Sequence, residues 1–317
     1  MKLFVTGVGG QLGYDVSCEL LKRGYDVVGS DVASDVPKSF AELVETYDAC
    51  AYVALDITDK NSVLAELYDA RPDAVVHCAA WTAVDAAEEL ENYKKVYAVN
   101  VTGTQNIASA CEALDAKMVY ISTDYVFDGT GTEPWKPDCK DYYPINIYGE
   151  TKLGGEFAVT EAIKKFFIVR IAWVFGLNGN NFVKTMLRVG KTHKQLRVVN
   201  DQVGTPTYTF DLARLLVDMV ESEKYGYYHA TNEGGYISWY EFATEIFRQA
   251  SLKWPEAGYD EVSVSPVTTE EYGLSAAARP FNSRLDKSKL SDAGFERLPV
   301  WQDALARYLD QLDCESI

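Results

Sequence analysis

A glycine-rich turn near the start of the chain constrains the fold more than any other feature of the sequence. Gly7, Gly10 and Gly13 follow the β-branched run 2–6 and stand at the head of a helical pattern. In this G-x-x-G-x-x-G spacing, the first glycine permits a tight turn and the second lets the backbone approach a pyrophosphate, while the third lets helix and strand pack closely. The helix N-terminus adds unpaired N–H groups for phosphate oxygens. We therefore predict a strand–turn–helix unit that binds a dinucleotide.

Strand and helix patterns alternate over the first two-thirds of the chain. Apolar, β-branched runs predict strands at 2–6, 26–30, 52–55, 74–78, 117–122 and 166–171. Helical periodicity predicts helices at 13–23, 61–70, 96–113 and 148–165. Such alternation produces right-handed βαβ units. The predicted fold class is therefore α/β, a Rossmann-type doubly wound parallel sheet with a smaller C-terminal domain.

The pattern loosens after about residue 171, where Gly, Pro, Asn and Asp become frequent between helical stretches. Helices are predicted there at 182–193, 210–221, 238–251 and 300–311. We expect 1–172 to form an NAD(P)-binding Rossmann domain, joined by 201–230, whose strand 226–230 returns to the main sheet. We expect 173–317 to form mainly a substrate-binding domain. The segment 33–50, with a short helix at 39–47, is long for a strand-to-strand link.

Composition and charge exclude several classes of protein. The 317 residues are 47% hydrophobic and 24% charged, which is ordinary for a globular chain. A formal net charge of −17 argues against a nucleic-acid partner, which needs a basic face. The chain lacks both an apolar run of about 20 residues and the pattern of a signal peptide, so we expect a cytoplasmic protein without membrane association. Its six cysteines lack a CxxC pair, which favours free thiols.

Two carboxylates follow predicted strands near the glycine turn. Asp31 ends the second strand, where a carboxylate binds ribose hydroxyls and repels a 2′-phosphate, so it favours NAD(H). A capping or turn role is the alternative for Asp31. Asp56 ends the third strand and either reaches the adenine or caps the following helix.

A second group of residues carries the chemistry. Thr123 ends the fifth strand, while Tyr148 and Lys152 are four residues apart, so they share one helical face. A phenol has a pKa near 10, and a neighbouring ammonium favours the phenolate and lowers that pKa. Ligands of parallel sheets bind at the carboxyl ends of the strands. We predict that Tyr148 exchanges a proton with a carbonyl or alcohol, that Lys152 supports it and also holds the nicotinamide ribose, and that Thr123 shares the substrate oxygen.

Blocks along nearly the whole chain resemble those of the dTDP-4-dehydrorhamnose reductases, a family of extended short-chain dehydrogenases. The similar blocks are GVGGQLG at 7–13, AAWTAVD at 79–85, STDYVFDG at 122–129, RIAWVFG at 170–176, DQVGTPT at 201–207 and RPFNSRLD at 279–286. The block at 123–129 is the most specific. The resemblance implies reduction of the 4-keto group of dTDP-4-dehydro-L-rhamnose with NAD(H) or NADP(H), with Tyr148 as proton donor and Thr123 orienting the carbonyl and lowering the pKa of Tyr148.

The resemblance also implies binding residues. Those for the cofactor are Gly10, Gln11 and Leu12 at the phosphates, Asp56 and Ile57 at the adenine, and Ala79, Ala80, Trp81 and Thr82 farther in. Those for the sugar nucleotide are Val84, Thr123, Asp124, Tyr125 and Trp173. Trp173 could otherwise be an ordinary core residue.

The chain departs from the family in two places. The segment 33–50 is longer than usual, which affects expectations for adenosine contacts near Asp31. Some members bridge subunits with Mg²⁺ through glutamates, and this chain has Asp15 at one such position, without a ligand cluster that supports a metal.

His77 and His229 lie in predicted strands, where core positions are expected. A monomer or a homodimer is compatible with these features.

Two other functions share the same motifs. A nucleotide-sugar 4-epimerase or 4,6-dehydratase would have the same fold, but a dehydratase needs an Asp-Glu pair after the threonine. Here Tyr125 follows Asp124, which disfavours elimination. A non-catalytic NADP-binding regulatory subunit is the second alternative, and the intact set of Thr123, Tyr148 and Lys152 speaks against it.

Overall fold

The computed structural model describes residues 1–316, and its central feature is a seven-stranded parallel sheet. The strands are β1 (Lys2–Thr6), β2 (Asp26–Asp31), β3 (Cys50–Ala54), β4 (Ala74–His77), β5 (Lys117–Thr123), β6 (Phe166–Ile171), β7 (Val174–Phe175), β8 (Gln195–Val199), β9 (Val203–Gly204), β10 (Thr207–Tyr208), β11 (Gly226–His229), β12 (Ile237–Ser238) and β13 (Ser263–Val267). The central sheet has the order β3-β2-β1-β4-β5-β6-β11. Its strand order reverses between β1 and β4, the position where such sheets bind ligands.

Helices cover both faces of this sheet. They are α1 (Gln11–Lys22), α2 (Lys38–Thr46), α3 (Lys60–Ala70), α4 (Val84–Ala87), α5 (Tyr93–Tyr97), α6 (Thr104–Ala113), α7 (Ile147–Ala162), α8 (Phe182–Thr192), α9 (Thr209–Val220), α10 (Trp239–Lys253), α11 (Thr269–Tyr272), α12 (Ser288–Asp292) and α13 (Trp301–Asp310). One apolar core packs α1 and α9 against one face, and a second packs α3, α6 and α7 against the other. The predicted fold class is therefore confirmed.

The later part of the chain builds a third apolar core from β7, α8, α10 and α13. Three short two-stranded sheets, β7 with β10, β9 with β12 and β8 with β13, brace this region. As predicted, β11 returns to the main sheet and pairs in parallel with β6. Phe295 and Leu298 also pack into the first core, so the late chain contributes to both regions.

Two predicted helices differ from the structure. The helix predicted at 96–113 is α5, then a π-helical segment Ala98–Gly103, then α6. A π-helical segment widens the turn, and such segments are frequent at functional sites. The helix predicted at 148–165 ends at Ala162, because Ile163 already has extended backbone geometry. Periodicity alone does not show either change.

The long link between β2 and β3 contains α2, which confirms the short helix predicted there. Its Phe40 is fully buried against Gly29 of β2, where a Cβ would overlap the Phe40 ring. Pro37 lies close to Gly9 of the glycine turn. This link therefore packs on the sheet beside the glycine turn, just after Asp31 and Val32, which line the cleft.

Three smaller features of the sequence can be compared with the structure. All six cysteines are free thiols. His77 and His229 are buried, as expected for core positions. Within residues 1–316, each helix is either too short or too polar to span a bilayer.

Candidate active site

One cleft of about 850 Å³ runs along the carboxyl ends of the central strands. It brings together every site residue that the sequence predicted: Gly7, Gly10, Gln11, Leu12, Gly13, Asp31, Asp56, Ile57, Ala79, Ala80, Trp81, Thr82, Val84, Thr123, Asp124, Tyr125, Tyr148, Lys152 and Trp173. These residues come from segments as far apart as the first and sixth strands. The cleft is large enough for a dinucleotide with part of a second ligand.

The glycine turn has the geometry that its spacing predicts. Gly7 has φ +72°, and a Cβ there would lie 2.8 Å from the backbone nitrogen of Ala79. A Cβ at Gly13 would overlap the carbonyl of Gly7, so only glycine lets α1 approach β1 this closely. Gly10 is the N-cap of α1, and within residues 1–316 no side chain caps it. The first N–H groups of α1 therefore face the cleft ready for an anionic ligand.

Asp31 makes the backbone contacts expected of the turn role, which was the alternative to ribose binding. Its carboxylate accepts hydrogen bonds from the backbone N–H of Gly9, at 2.9 Å, and of Val32, at 2.8 Å. The same carboxylate lines the cleft. It therefore ties β2 to the glycine turn while remaining beside the ligand space.

Asp56 does not cap the following helix. Its carboxylate accepts from the backbone and the hydroxyl of Thr58. The N-cap of α3 is Asp59, which accepts from the N–H groups of Asn61 and Ser62. The capping alternative for Asp56 is wrong because the helix starts one turn later than that role requires. Asp56 remains on the cleft wall beside Ile57.

Helix α7 carries Tyr148 and Lys152 to the cleft. Asn146 caps it by accepting from the N–H of Gly149 at 2.7 Å. A Cβ at Gly149 would overlap the carbonyl of Tyr125, so this glycine lets α7 press against the turn that follows β5. The close approach places the Tyr125 and Tyr148 rings edge to face, with centroids 5.6 Å apart.

Burial governs the protonation of Tyr148 and Lys152. It raises the pKa of Tyr148 well above the ordinary value, the Asp124 carboxylate adds to the rise, and the Thr123 hydroxyl opposes it as expected. The pKa of Tyr148 is therefore not lowered overall as expected, because burial outweighs the opposing contribution. The Lys152 ammonium lies 4.1 Å from the centroid of the Tyr120 ring. Burial lowers the pKa of Lys152 itself to about 7. Tyr148 is therefore a protonated phenol at neutral pH.

Asp124 presents an unsatisfied oxygen within the site. The residue is 2% exposed, and its Oδ1 accepts from the Thr123 hydroxyl at 3.0 Å. Its Oδ2 is buried without a hydrogen-bond partner among the described residues. Burial raises the pKa of this carboxyl to about 6. Because buried acceptors normally have donors, a polar group of a ligand is the natural partner for Oδ2.

Trp173 has a strained backbone, with φ +52°. Its indole stacks on Trp239, with ring centroids 3.7 Å apart, and both rings line the cleft. Strain of this kind persists where the surroundings hold it, often at ligand sites. Trp173 thus belongs both to the third core and to the cleft wall, so the two readings of this residue are compatible.

The sequence analysis did not identify one residue that lines the cleft, Trp239, or one that supports its wall, Asn100. Trp239 begins α10 after a capping box formed by Ser238 and Glu241, a pattern that marks a helix start but not a ligand site. Asn100 lies in the π-helical segment, accepts from the N–H of Trp81 at 2.8 Å and donates to Thr151 of α7 at 3.0 Å. It ties the loop at Trp81 to α7. No periodic signal identifies it.

The loop 178–181 closes one side of the cleft and also escaped prediction. Asn181 donates to the side chain of Gln11 at 3.0 Å, and Asn178 donates to Ser39 at 3.0 Å. These contacts tie the late chain to the glycine turn and to α2. The run of Asn and Gly at 178–181 indicated a turn but not its location.

Charge and metal-binding groups are sparse here. Among the described residues lining the cleft, Lys152 is the only cation. Within residues 1–316, no group of three His, Cys, Asp or Glu side chains could hold a metal ion. The idea that Asp15 serves a metal bridge between subunits meets no support, because Asp15 is 6% exposed and accepts from Thr209 of α9 at 2.5 Å.

Comparisons with known proteins agree with this geometry. The family model described as RmlD substrate binding domain matches residues 1–314. The chain is 38% identical over 310 residues to the spore coat polysaccharide biosynthesis protein SpsK of Bacillus subtilis, covering 98% of this chain and 97% of that protein. It is 37% identical over 311 residues to the dTDP-4-dehydrorhamnose reductase of Aggregatibacter actinomycetemcomitans, covering 96% and 97%.

A solved structure matches equally well. The dTDP-4-dehydrorhamnose reductase of Bacillus anthracis, crystallised in complex with NADP, is 39% identical and superposes with a TM-score of 0.84. The match covers 98% of this chain and 99% of that chain. By its end-to-end match to the family model and to these relatives, the chain belongs to the RmlD substrate-binding-domain family of dTDP-4-dehydrorhamnose reductases.

Proposed function

We propose that this protein reduces the 4-keto group of dTDP-4-dehydro-L-rhamnose to give dTDP-L-rhamnose, using NADH or NADPH. The observation that carries the proposal is the meeting of Thr123, Tyr148 and Lys152 in the cleft that begins at the glycine turn. The names of the relatives supply the sugar nucleotide.

The cleft fits a nicotinamide dinucleotide along its length. The uncapped start of α1 and the backbone of Gly10, Gln11 and Leu12 suit its pyrophosphate. Asp31, Asp56 and Ile57 border the adenosine end. The inner end, for the nicotinamide and its ribose, is bordered by Ala79, Ala80, Trp81, Thr82, Tyr148 and Lys152. When bound there, the nicotinamide supplies the hydride for the reduction.

Tyr148 donates the proton that completes the alcohol. Its raised pKa keeps the phenol protonated at neutral pH, the form that a reduction requires. Thr123 offers a second hydroxyl beside it and orients the carbonyl oxygen. Lys152 places a positive charge at the same wall of the cleft, where it favours negative charge developing on the phenol oxygen.

The substrate occupies the remaining part of the cleft. The unpartnered Oδ2 of Asp124 accepts from a sugar hydroxyl, and Trp173 provides an apolar wall. Val84 and Tyr125 border the same space. Because Tyr125 follows Asp124, the site lacks an adjacent second carboxylate for elimination of water, so reduction is favoured over dehydration.

We also propose a functional division of the chain. Residues 1–172 with 201–230 hold the cofactor, since α9 packs on α1 and β11 pairs with β6. Residues 173–317 contribute mainly to the substrate side through Trp173 and Trp239. Phe295 and Leu298, packed in the first core, are exceptions to this division.

A direct assay tests the proposed reaction. Purified protein mixed with dTDP-4-dehydrorhamnose should consume added NADH or NADPH in a 1:1 ratio with substrate, followed by absorbance. Protein that carries tightly held NAD and converts the sugar without net oxidation of added cofactor would instead be an epimerase or dehydratase. Protein that binds NADP and turns over nothing would be a regulatory subunit.

Tyr148→Phe tests the proton donor. Without the hydroxyl, turnover should fall by about 10²–10⁴-fold while cofactor affinity stays near that of the wild type. Tyr143→Phe is the matched control, because Tyr143 is 73% exposed and outside the cleft. Near-wild-type turnover of Tyr148→Phe would remove Tyr148 from this role.

A further inference from the structure

Lys152 brings its charge to the cleft wall without a carboxylate partner among residues 1–316. Glu156 is one helical turn away, but its carboxylate is already occupied. It accepts from Arg170 Nε at 2.8 Å, from Arg170 Nη2 at 2.7 Å and from the Ser122 hydroxyl at 2.5 Å. Lys152 itself is only 3% exposed. Something other than an ion pair must therefore fix the ammonium.

The ring of Tyr120 is placed where it can fix the position of the Lys152 ammonium. Lys152 Nζ lies 4.1 Å from the ring centroid, within the range of a cation–π contact. The Tyr120 hydroxyl donates to the carbonyl oxygen of Lys152 at 3.1 Å. One aromatic side chain of β5 thus contacts both the backbone and the charged end of a residue on α7.

His77 supports the Tyr120 ring from β4. The two rings are stacked, with centroids 5.9 Å apart and planes 25° apart. Thr6 lies 2.8 Å from His77 Nδ1, and Thr104 lies 3.2 Å from Nε2. Burial and the Lys152 charge lower the pKa of His77 to about 3, so the imidazole is neutral. It therefore adds no competing charge.

The hydrogen bonds around His77 identify its tautomer. Thr6 already accepts from the N–H of Ala79, so its hydroxyl is free to donate to Nδ1. Thr104 donates to the carbonyl of Asn100, so it accepts from Nε2. His77 therefore carries its proton on Nε2. The ring is held from both sides, which fixes the surface on which Tyr120 rests.

The space around Tyr120 allows little movement. The residue is fully buried, and a Cβ at Gly155 of α7 would overlap its hydroxyl. The stacked His77 ring and the hydroxyl bond to the Lys152 carbonyl hold the ring in place on β5. Its face therefore defines where the Lys152 ammonium lies in the cleft.

We infer that Tyr120 is a positioning residue that holds the Lys152 ammonium in the cleft through a cation–π contact, taking the place of a carboxylate. The inference deepens the proposed reductase function and depends on it for its catalytic consequence. A neutral ring fixes the charge without neutralising it, so the ammonium remains available to the phenol of Tyr148 and to a bound ribose.

The charged and titratable groups around Lys152 set the sign of its response. Burial lowers its pKa to about 7, while Glu156 on its own helix and Cys78 beyond β4 raise it. Neutral His77 stacks on the Tyr120 ring, and Tyr148 lies one turn earlier on α7. An electron-rich ring stabilises the ammonium, so a ring with less electron density on its face lowers the pKa of Lys152 further. As the pH is raised, the ammonium then deprotonates earlier, so activity that requires it falls at a lower pH than in the wild type.

Graded fluorination of the ring tests this contact. Tyr120→Phe is the reference, followed by 4-fluoro-, 3,5-difluoro- and 3,4,5-trifluorophenylalanine at position 120, which keep the ring but progressively weaken its attraction for cations. Two quantities are measured in each variant. One is the pKa of Lys152, from the ¹³Cε resonance that disappears in Lys152→Met. The other is the pH dependence of NAD(P)H oxidation with dTDP-4-dehydrorhamnose.

Both quantities should change in order along the series. Between the Phe and trifluoro variants, the Lys152 pKa should fall by about one unit and turnover at pH 8 by about tenfold, the size of one desolvated cation–π contact. The matched control is trifluorination at Phe167, a fully buried ring of β6 that packs against Tyr225 and Tyr228. It should leave both quantities unchanged.

Each outcome decides the matter. A flat series at position 120 overturns the inference, as does an equal effect at Phe167 or a decline that only follows the melting temperature. If wild-type protein oxidises no NAD(P)H with this substrate, the proposed function fails, and the resonance titration still tests the contact. A graded pKa would then support the Tyr120–Lys152 contact, and an unchanged pKa would overturn it.

Discussion

Glu156→Gln should destabilise the fold strongly, because Glu156 and Arg170 form an ion pair with both side chains fully buried. The Glu156 carboxylate accepts three hydrogen bonds, two from Arg170 and one from Ser122. An amide keeps one acceptor oxygen and turns its NH₂ group toward a donor. Arg170 would then carry an uncompensated charge beneath the carboxyl end of β5.

The magnitude follows from the loss of one partner. Breaking a buried ion pair by removing one member costs about 3–5 kcal/mol. At about 2 °C per kcal/mol for a chain of this size, the melting temperature should fall by about 6–10 °C. Arg170 also donates to Tyr142 at 3.0 Å and to the carbonyl of Pro137 at 3.1 Å, and these bonds limit how far it can move to find water.

Urea unfolding followed by tryptophan fluorescence measures the loss. Glu245→Gln is the matched control, since the Arg248 guanidinium with which Glu245 pairs is 58% exposed, and it should cost less than about 1 kcal/mol. The double variant Glu156→Gln with Arg170→Met should recover part of the loss, because it removes the unpaired charge. A cost below about 1 kcal/mol for Glu156→Gln, or a double variant less stable than the single one, would refute the reasoning.

Three further predictions follow from the cleft. Burial lowers the pKa of Lys152 in the folded protein from 10.5 to about 7. Between pH 7 and pH 10.5 the unfolded chain therefore binds more protons than the folded chain. The free energy of unfolding of the wild type should rise with pH across this range, by at most about 1.4 kcal/mol per pH unit. Lys152→Met should therefore exceed the wild type in stability most below pH 7, with the advantage vanishing toward pH 10.5; a constant difference in urea titrations across this range would contradict it. NADH should be used at least as well as NADPH because of the Asp31 carboxylate, and Asp31→Asn should shift the ratio of kcat/KM values toward NADPH by about tenfold; an unchanged ratio would show that this carboxylate does not set the preference. Gly13→Ala should cost about 1–3 kcal/mol and weaken cofactor binding, because its Cβ would meet the Gly7 backbone; calorimetric melting and cofactor titration measure the two effects, and an unchanged melting temperature together with unchanged cofactor affinity would contradict the argument.

Features that depend on neighbours in the chain were predictable from the sequence. The spacing of Gly7, Gly10 and Gly13 implied a strand–turn–helix unit because backbone sterics act within a few residues. The four-residue separation of Tyr148 and Lys152 placed both on one face of a helix for the same reason. Alternating strand and helix patterns then led to the parallel sheet, whose carboxyl edge gathers the strand-end residues.

Features that depend on contacts between distant segments required the tertiary structure. Trp239 and the loop 178–181 reach the cleft only through packing of the late chain on the glycine turn. The raised pKa of Tyr148 could not be predicted because burial, not the adjacent lysine, sets it. The Lys152 ammonium of α7 lies over the Tyr120 ring of β5, since the nearby carboxylate of Glu156 is already bound to Arg170. Local sequence thus determined the glycine turn and the shared helical face of Tyr148 and Lys152, because both depend on residues a few positions apart. Packing between distant segments determined which late-chain residues join the cleft and set the charge states and partners of the groups in it.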